Sequence, residues 1–164
     1  MKKVIFSLLV LISTYSFGQT LPNYDDIKLE KGEDYKAADT FALQASTYLL
    51  STRFEKNNLS RLRSLQFIIK WMSGTPDYTF SLDEVATKII KGEDDLLGLY
   101  MAAMTKYSLE NKASSKDEKL VKLNAITLLL NYCENKDSNV KMTKQLKKLS
   151  EAKAKGELEK ELFK

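Results

Sequence analysis

The 164-residue sequence contains no histidine, one cysteine and two prolines. Without histidine there is no Ser-His-Asp triad, no Cys-His pair and no imidazole ligand for a metal. A single cysteine cannot form a disulfide within the chain. Because prolines occur only at positions 22 and 76, helices can run through long stretches without interruption. The composition therefore favours helices and excludes every mechanism that depends on histidine.

The charge and the apolar content are those of a globular protein. Hydrophobic residues make up 43% and charged residues 29% of the chain, and the length suits one domain. The formal net charge is +4, and it falls to +2 when the two lysines of the leader described next are left out. A charge this small gives no reason to expect nucleic acid as a partner.

The first 18 residues have the layout of a secretory signal peptide. Two lysines follow the initial methionine, the apolar run Val4–Ile12 comes next, and a small, polar segment ends the leader. The apolar run is too short for a membrane-spanning helix, which needs about 20 residues. Small residues at Ser16 and Gly18 place the cleavage site before Gln19. We therefore expect an exported protein, periplasmic or extracellular, without a transmembrane helix after processing.

The remainder of the chain is predicted to be all-α. Residues 19–32 are expected to form an extended N-terminal arm, and residues 33–164 a single helical domain in which apolar residues recur with a period near 3.6. Short connections between helices favour antiparallel neighbours. The predicted architecture is an irregular bundle or a short stack of helical hairpins with five or six helices. Their expected starts lie near Glu33, Asn58, Ser81, Glu93, Ser115 and Asp137 or Ser138.

Several local signals support these starts. Asn57 or Asn58 is expected to cap the second helix, and Ser115 with Glu118 has the spacing of a capping box. Lys31–Asp34 and Lys91–Asp94 have the same four residues, which fits either a duplicated hairpin or chance. The second helix is expected to bury one apolar stripe, consisting of Leu59, Leu62, Leu65, Ile68, Ile69 and Met72.

The candidate ligand or partner surface consists of Trp71, Tyr78 and Phe80, which surround the turn at residues 73–77. Aromatic side chains beside a turn can form a pocket for a sugar or a peptide. They can equally close the end of a helical bundle, and packing is the commoner role of such residues. We favour the packing role, and we expect any ligand to bind at this place.

No catalytic, cofactor-binding or metal-binding residue is predicted. The acidic clusters at residues 25–26, 33–34 and 93–95 lack the spacing of a calcium loop, and two of them suit helix N-termini. No carboxylate lies inside an apolar stripe, where a catalytic acid would be desolvated. Cys133 falls at the C-terminal end of a helix, which disfavours a thiolate. We expect it to be a small, buried apolar group.

Two segments resemble known proteins. The leader end Ser16-Phe17-Gly18-Gln19 is similar to signal peptides of Bacteroidetes, in which glutamine commonly follows the cleavage site. The segment from Leu59 to Phe80 resembles small secreted helical proteins of unknown function from the same group. The resemblance implies a periplasmic or extracellular bacterial protein, and it implies no mechanism.

The functional prediction is a non-catalytic helical interaction module whose partner is another envelope or extracellular protein or peptide. Such a module requires an exposed apolar groove. The first alternative, a carrier for a small ligand near Trp71, requires an enclosed cavity. The second alternative, a carboxylate-dependent hydrolase, requires a cleft with shifted pKa values.

Overall fold

The computed structural model describes residues 21–82, 86, 87, 89 and 94–164. These residues contain seven α-helices and no strand, so the predicted all-α class is confirmed. Five of these helices have 11 or more residues. The helices are α1 (Gly32–Ala37), α2 (Asp39–Ser51), α3 (Leu59–Gly74), α4 (Asp94–Glu110), α5 (Glu118–Glu134), α6 (Lys144–Ala154) and α7 (Leu158–Leu162).

Two predictions fall largely outside the described residues. The signal peptide and its cleavage site lie in residues 1–20, and the helix expected to start near Ser81 lies mostly in residues 83–93. Residues 86, 87 and 89 of that segment are helical, and Ala86 and Ile89 are buried.

Helix α4 lies at the centre of the fold and contacts α2, α3 and α5. Its buried residues contribute to two hydrophobic clusters. Ala102 packs with α2 and α3, and Tyr100 and Met104 pack with α5 and α6. Small residues along α4, including Gly98, allow the neighbouring helices to approach it closely.

The described part of the N-terminal arm is packed against α3. It contains a short 3-10 turn at Tyr24–Asp26. Tyr24 and Leu29 are buried, and the Tyr24 ring stacks on Phe67 with the ring centroids 4.6 Å apart. The arm therefore contributes to the core and holds one side of α3 in place.

The orientation of α3 differs from the prediction. Its buried residues are Arg61, Ser64, Phe67, Ile68 and Trp71. The prediction was correct for Ile68 but wrong for the three side chains of the expected stripe that are exposed, namely Leu59, Leu62 and Ile69. Leu65 and Met72 are half-buried.

A polar anchor explains this orientation. The guanidinium of Arg61 donates to the carbonyl oxygen and to the hydroxyl of Thr52, at 3.1 and 2.7 Å. It also lies 5.2 Å from the centroid of the Phe54 ring, a distance at which cation and ring attract. Arg61 is only 5% exposed. The side of α3 that carries Arg61 is therefore buried, and the side that carries Leu59 and Leu62 faces solvent.

The helix starts are partly as predicted. Asn58 caps α3, because its side-chain oxygen accepts from the backbone N–H of Arg61 at 3.1 Å. For α5 the cap is Asp117, which accepts from Leu120 N–H at 3.0 Å, so the prediction of Ser115 was wrong. The hydroxyl of Ser115 instead donates to a carbonyl oxygen in the preceding turn.

The start of α6 was also predicted wrongly. Asp137 and Ser138 lie in a 3-10 turn, and the following Asn139 has a left-handed backbone with φ of 62°. A left-handed residue cannot continue a right-handed helix. Helix α6 starts only at Lys144, after Thr143, whose hydroxyl accepts from the backbone N–H of Leu146 at 3.1 Å.

Candidate functional site

The three predicted aromatic residues lie together at the C-terminal end of α3. The Trp71 ring centroid is 5.5 Å from that of Tyr78 and 5.8 Å from that of Phe80. Trp71 has no exposed surface, and its indole N–H donates to the carbonyl oxygen of Tyr35 at 3.0 Å. Trp71 therefore belongs to the core, whereas Tyr78 and Phe80 are half-buried beside it.

Tyr78 also lines an open cleft of about 650 Å³, which contains Asp39 at the start of α2. The Oδ2 atom of Asp39 accepts from the Lys112 ammonium at 3.0 Å and from the Tyr78 hydroxyl at 3.4 Å. The Oδ1 atom is buried and has no hydrogen-bond partner within the described part of the chain. The other lining residues are Lys36, Pro76, Asp77, Thr79, Ser115, Lys116 and Glu118.

The pKa shifts in this Tyr78 cleft favour protonated groups. Burial, followed by the nearby Asp39 carboxylate, raises the pKa of the Tyr78 hydroxyl. The hydrogen bond to Asp39 raises the pKa of the Lys112 ammonium. A general base works best with a pKa near the operating pH, and both shifts move away from neutrality. Tyr78 and Lys112 are therefore suited to donate hydrogen bonds and poorly suited to accept protons.

Sequence reasoning did not identify Asp39 or Lys112. The two residues are 73 positions apart, and no local pattern couples them. Asp39 alone is an ordinary acid in the first turn of a helix, where carboxylates are favoured by the helix dipole. Only the packing of α2 beside the loop before α5 brings the pair together.

A second candidate site is the outward side of α3, which we call the α3 stripe and define as Leu59, Leu62, Leu65 and Ile69. Leu59 is 60% exposed, Leu62 44% and Ile69 41%. Five large apolar side chains are exposed in the described part of the chain, and these are three of them. Single exposed apolar residues are ordinary, but a contiguous row of them indicates a contact surface.

A pocket of about 250 Å³ adjoins the α3 stripe, between α3 and α4. Leu62 and Leu65 form one wall, and Gly98 lies opposite them. A Cβ atom on Gly98 would come within 2.8 Å of a Leu65 methyl carbon, so a larger residue here would push the Leu65 side chain aside. The other lining residues are Leu49, Phe54, Glu55, Lys56, Arg61, Asp95 and Leu99.

The surface on one side of the α3 stripe has two exposed cations on α3, Arg63 and Lys70, and Asp25 of the N-terminal arm lines the same open pocket as Arg63. Arg63 and Lys70 are exposed and seven residues apart, which places them two turns apart on one side of α3. Neither takes part in an ion pair within the described ranges, and α3 contains no Asp or Glu. On the α4 side, the charge is mixed, because Lys56 lies 3.9 Å from Asp95.

The remaining candidates have structural explanations. Within the described ranges, no three metal-ligating side chains are grouped as a metal site requires. Asp34 accepts from the backbone N–H groups of Glu30 and Lys31 at 3.1 and 2.9 Å, as expected at a helix N-terminus. Cys133 is buried, which confirms the prediction, and burial raises the pKa of its thiol to about 12.

Comparisons with models of protein families, with curated proteins and with solved structures find no match to this chain. Among the residues that the structure describes, no helix is both long and apolar enough to cross a membrane. The function is therefore inferred from the residues of this chain alone.

Proposed function

We propose that this chain is an exported, non-catalytic interaction module that binds an amphipathic segment of another envelope or extracellular protein. One observation carries the proposal: the α3 stripe leaves three large apolar side chains exposed on one helix beside an apolar pocket. Covering apolar surface releases about 25 cal/mol for each Å² removed from water. A partner that covers the stripe would therefore gain binding free energy.

The stripe has the spacing that a helical partner needs. In helix-in-groove recognition, an amphipathic helix presents apolar residues at i, i+3 or i+4, and i+7 to an apolar surface. Leu62, Leu65 and Ile69 follow this spacing on α3. The adjoining pocket is suited to one large apolar side chain of the partner. Such buried anchors contribute most of the free energy in peptide recognition.

A non-catalytic role is supported by the chemistry of the Tyr78 cleft. The raised pKa values of the Tyr78 hydroxyl and the Lys112 ammonium make these two groups poor general bases near neutral pH.

Export is supported by the lysine-rich start, the short apolar run and the small residues before Gln19. Mass spectrometry of the protein from the producing cell tests this part of the proposal. We expect a mass that begins at Gln19, and a mass that includes residues 1–18 would contradict export through cleavage.

The binding test compares the chain from Gln19 to Lys164 with a variant in which Leu62 and Ile69 are both replaced by glutamine. Both side chains are exposed, so we expect the variant to retain its circular-dichroism spectrum. Proteins captured from envelope extracts are identified by mass spectrometry, purified, and titrated calorimetrically. We expect binding to the variant to be at least about tenfold weaker, because hot-spot truncations cost roughly 2 kcal/mol.

The matched control is Leu120→Gln, which changes a side chain of α5 that is 39% exposed. This control should bind the purified partner with wild-type affinity. If the wild type and the Leu62→Gln/Ile69→Gln variant have the same affinity for every captured partner, the α3 stripe is not the binding surface.

A second candidate function, binding of a small polar ligand, is favoured by the Tyr78 cleft, in which one oxygen of Asp39 has no donor among the residues that the structure describes. The cleft is open and lined by lysines and acids, unlike the enclosed cavity that an apolar-ligand carrier requires. A fragment screen by NMR tests this candidate. Perturbation of the Tyr78 and Lys112 signals that Asp39→Asn abolishes would support it, and an absence of such perturbation would exclude it.

A further inference from the structure

We infer that the segment bound by the α3 stripe is an amphipathic helix whose flank carries acidic residues. This inference rests on the proposed function, and it adds the charge of the partner. The α3 stripe defines where the apolar side of the partner lies. The charges beside the stripe define what the polar flank of the partner must contain.

The positive charge beside the stripe is free to pair with a partner. Arg61 is buried and committed to Thr52, so it belongs to the fold. Arg63 and Lys70 are exposed, and the described residues offer neither of them an ion pair. Their spacing of seven residues matches acids placed two turns apart on a helix that lies along the stripe.

Charge argues against two arrangements in which a second copy of this chain covers the stripe with its α3 or its α6. Helix α3 carries three cations and no acid, so packing it against another α3 brings like charges together. Helix α6, which also has exposed polar positions, contains four lysines and one glutamate. Docking α6 of a second copy on α3 would again oppose positive charges.

Shape argues against a membrane surface as the occupant. The pocket between α3 and α4 has a volume of about 250 Å³, which suits one protruding side chain better than a flat lipid surface. The exposed cations near the stripe are few, and one of them, Lys56, lies 3.9 Å from Asp95, so we expect an anionic bilayer to bind weakly. A peptide helix satisfies the pocket, the stripe and the two charges together.

The experiment uses two fluorescein-labelled helical peptides with the same apolar residues at i, i+3, i+4 and i+7. One peptide has glutamate at the flanking positions and the other has lysine. Fluorescence anisotropy measures their binding to the chain from Gln19 to Lys164. We expect the glutamate peptide to bind about fivefold or more tightly at about 50 mM NaCl. The preference should shrink at about 500 mM NaCl, because salt screens exposed charges.

Three double variants assign the effect. Arg63→Glu with Lys70→Glu should reverse the preference between the peptides. Lys144→Glu with Lys147→Glu changes the net charge by the same amount on α6, and this matched control should keep the preference. Leu62→Gln with Ile69→Gln should weaken the binding of both peptides.

The outcomes separate this inference from the proposed function. If both peptides bind equally and the Leu62→Gln/Ile69→Gln variant weakens both, the acidic preference is refuted while the interaction surface stands. If neither peptide binds the wild type, both proposals are refuted. Binding to phosphatidylglycerol vesicles in place of either peptide would likewise refute both and assign the stripe to a membrane surface.

Discussion

Alanine substitutions at two neighbouring residues, Ile68 and Ile69, test the orientation of α3. The two residues have the same side chain, lie on the same helix, and were both expected to be buried. In the structure Ile68 is completely buried, whereas Ile69 is 41% exposed. The pair therefore isolates the effect of burial from that of residue type.

The expected losses follow from this difference. Replacing isoleucine by alanine removes three carbon groups, worth about 2.4 kcal/mol when they are fully buried. At Ile68 a cavity adds roughly 1 kcal/mol and the better helix propensity of alanine offsets roughly 0.4 kcal/mol, so the expected loss of unfolding free energy is about 3 kcal/mol. Ile69 is 41% exposed, so its substitution loses about three fifths of the transfer free energy. The better helix propensity of alanine offsets roughly 0.4 kcal/mol of this loss. The expected loss there is about 1 kcal/mol.

Urea unfolding followed by circular dichroism at 222 nm measures both losses. A difference of about 2 kcal/mol corresponds to a midpoint difference of roughly 1 M if the urea dependence of the two variants is the same. Equal losses for Ile68→Ala and Ile69→Ala would show that Ile69 is buried. That result would refute the α3 stripe and, with it, the proposed binding surface.

Three further predictions concern packing, reactivity and capping. Gly74→Ala should lower the unfolding free energy by about 1–3 kcal/mol in a thermal melt, because the added Cβ would lie 2.1 Å from the Tyr35 ring; a stability gain would contradict the packing. Cys133 should not react with a thiol reagent at pH 8 until the protein unfolds, because a pKa of about 12 leaves about one thiol in ten thousand ionised; rapid labelling of the native protein would contradict its burial. Thr143→Ala should cost about 1 kcal/mol in urea unfolding, more than Asp137→Ala, because the Asp137 side chain is exposed; the reverse order would restore the earlier helix start.

Local sequence signals predicted the local structure well. Asn58 caps α3 because its side chain bonds a backbone N–H only three residues away, a contact that local sequence patterns encode. Helix α3 ends at Gly74, within the turn expected at residues 73–77. The apolar period of the last long helix predicts a buried stripe of Val140, Leu146, Leu149 and Ala152. The last three are buried in α6, whereas Val140 lies before α6 and is half-buried.

The same reasoning failed where two local solutions were available. Ser115 and Asp117 both precede α5, and Asp117 is the one whose side chain reaches a free backbone N–H. Asp137 and Ser138 had suitable side chains for a cap, but the left-handed Asn139 delays α6. The side chain of Asn139 donates to the carbonyl oxygen of Phe54, 85 residues away, and local sequence does not contain that contact.

The sequence by itself determined the helical class, some of the helix boundaries and the absence of histidine chemistry, because these depend on residue type and on contacts within about one helical turn. Tertiary structure decided which side of α3 faces solvent. Leucine and isoleucine occur around much of that helix, so its sequence allows more than one side to be buried. In the structure, the buried side is the one on which Arg61 bonds to Thr52, nine residues earlier. Tertiary structure also decided the pairing of Asp39 with Lys112 across 73 residues, since only packing brings such distant side chains within hydrogen-bond distance.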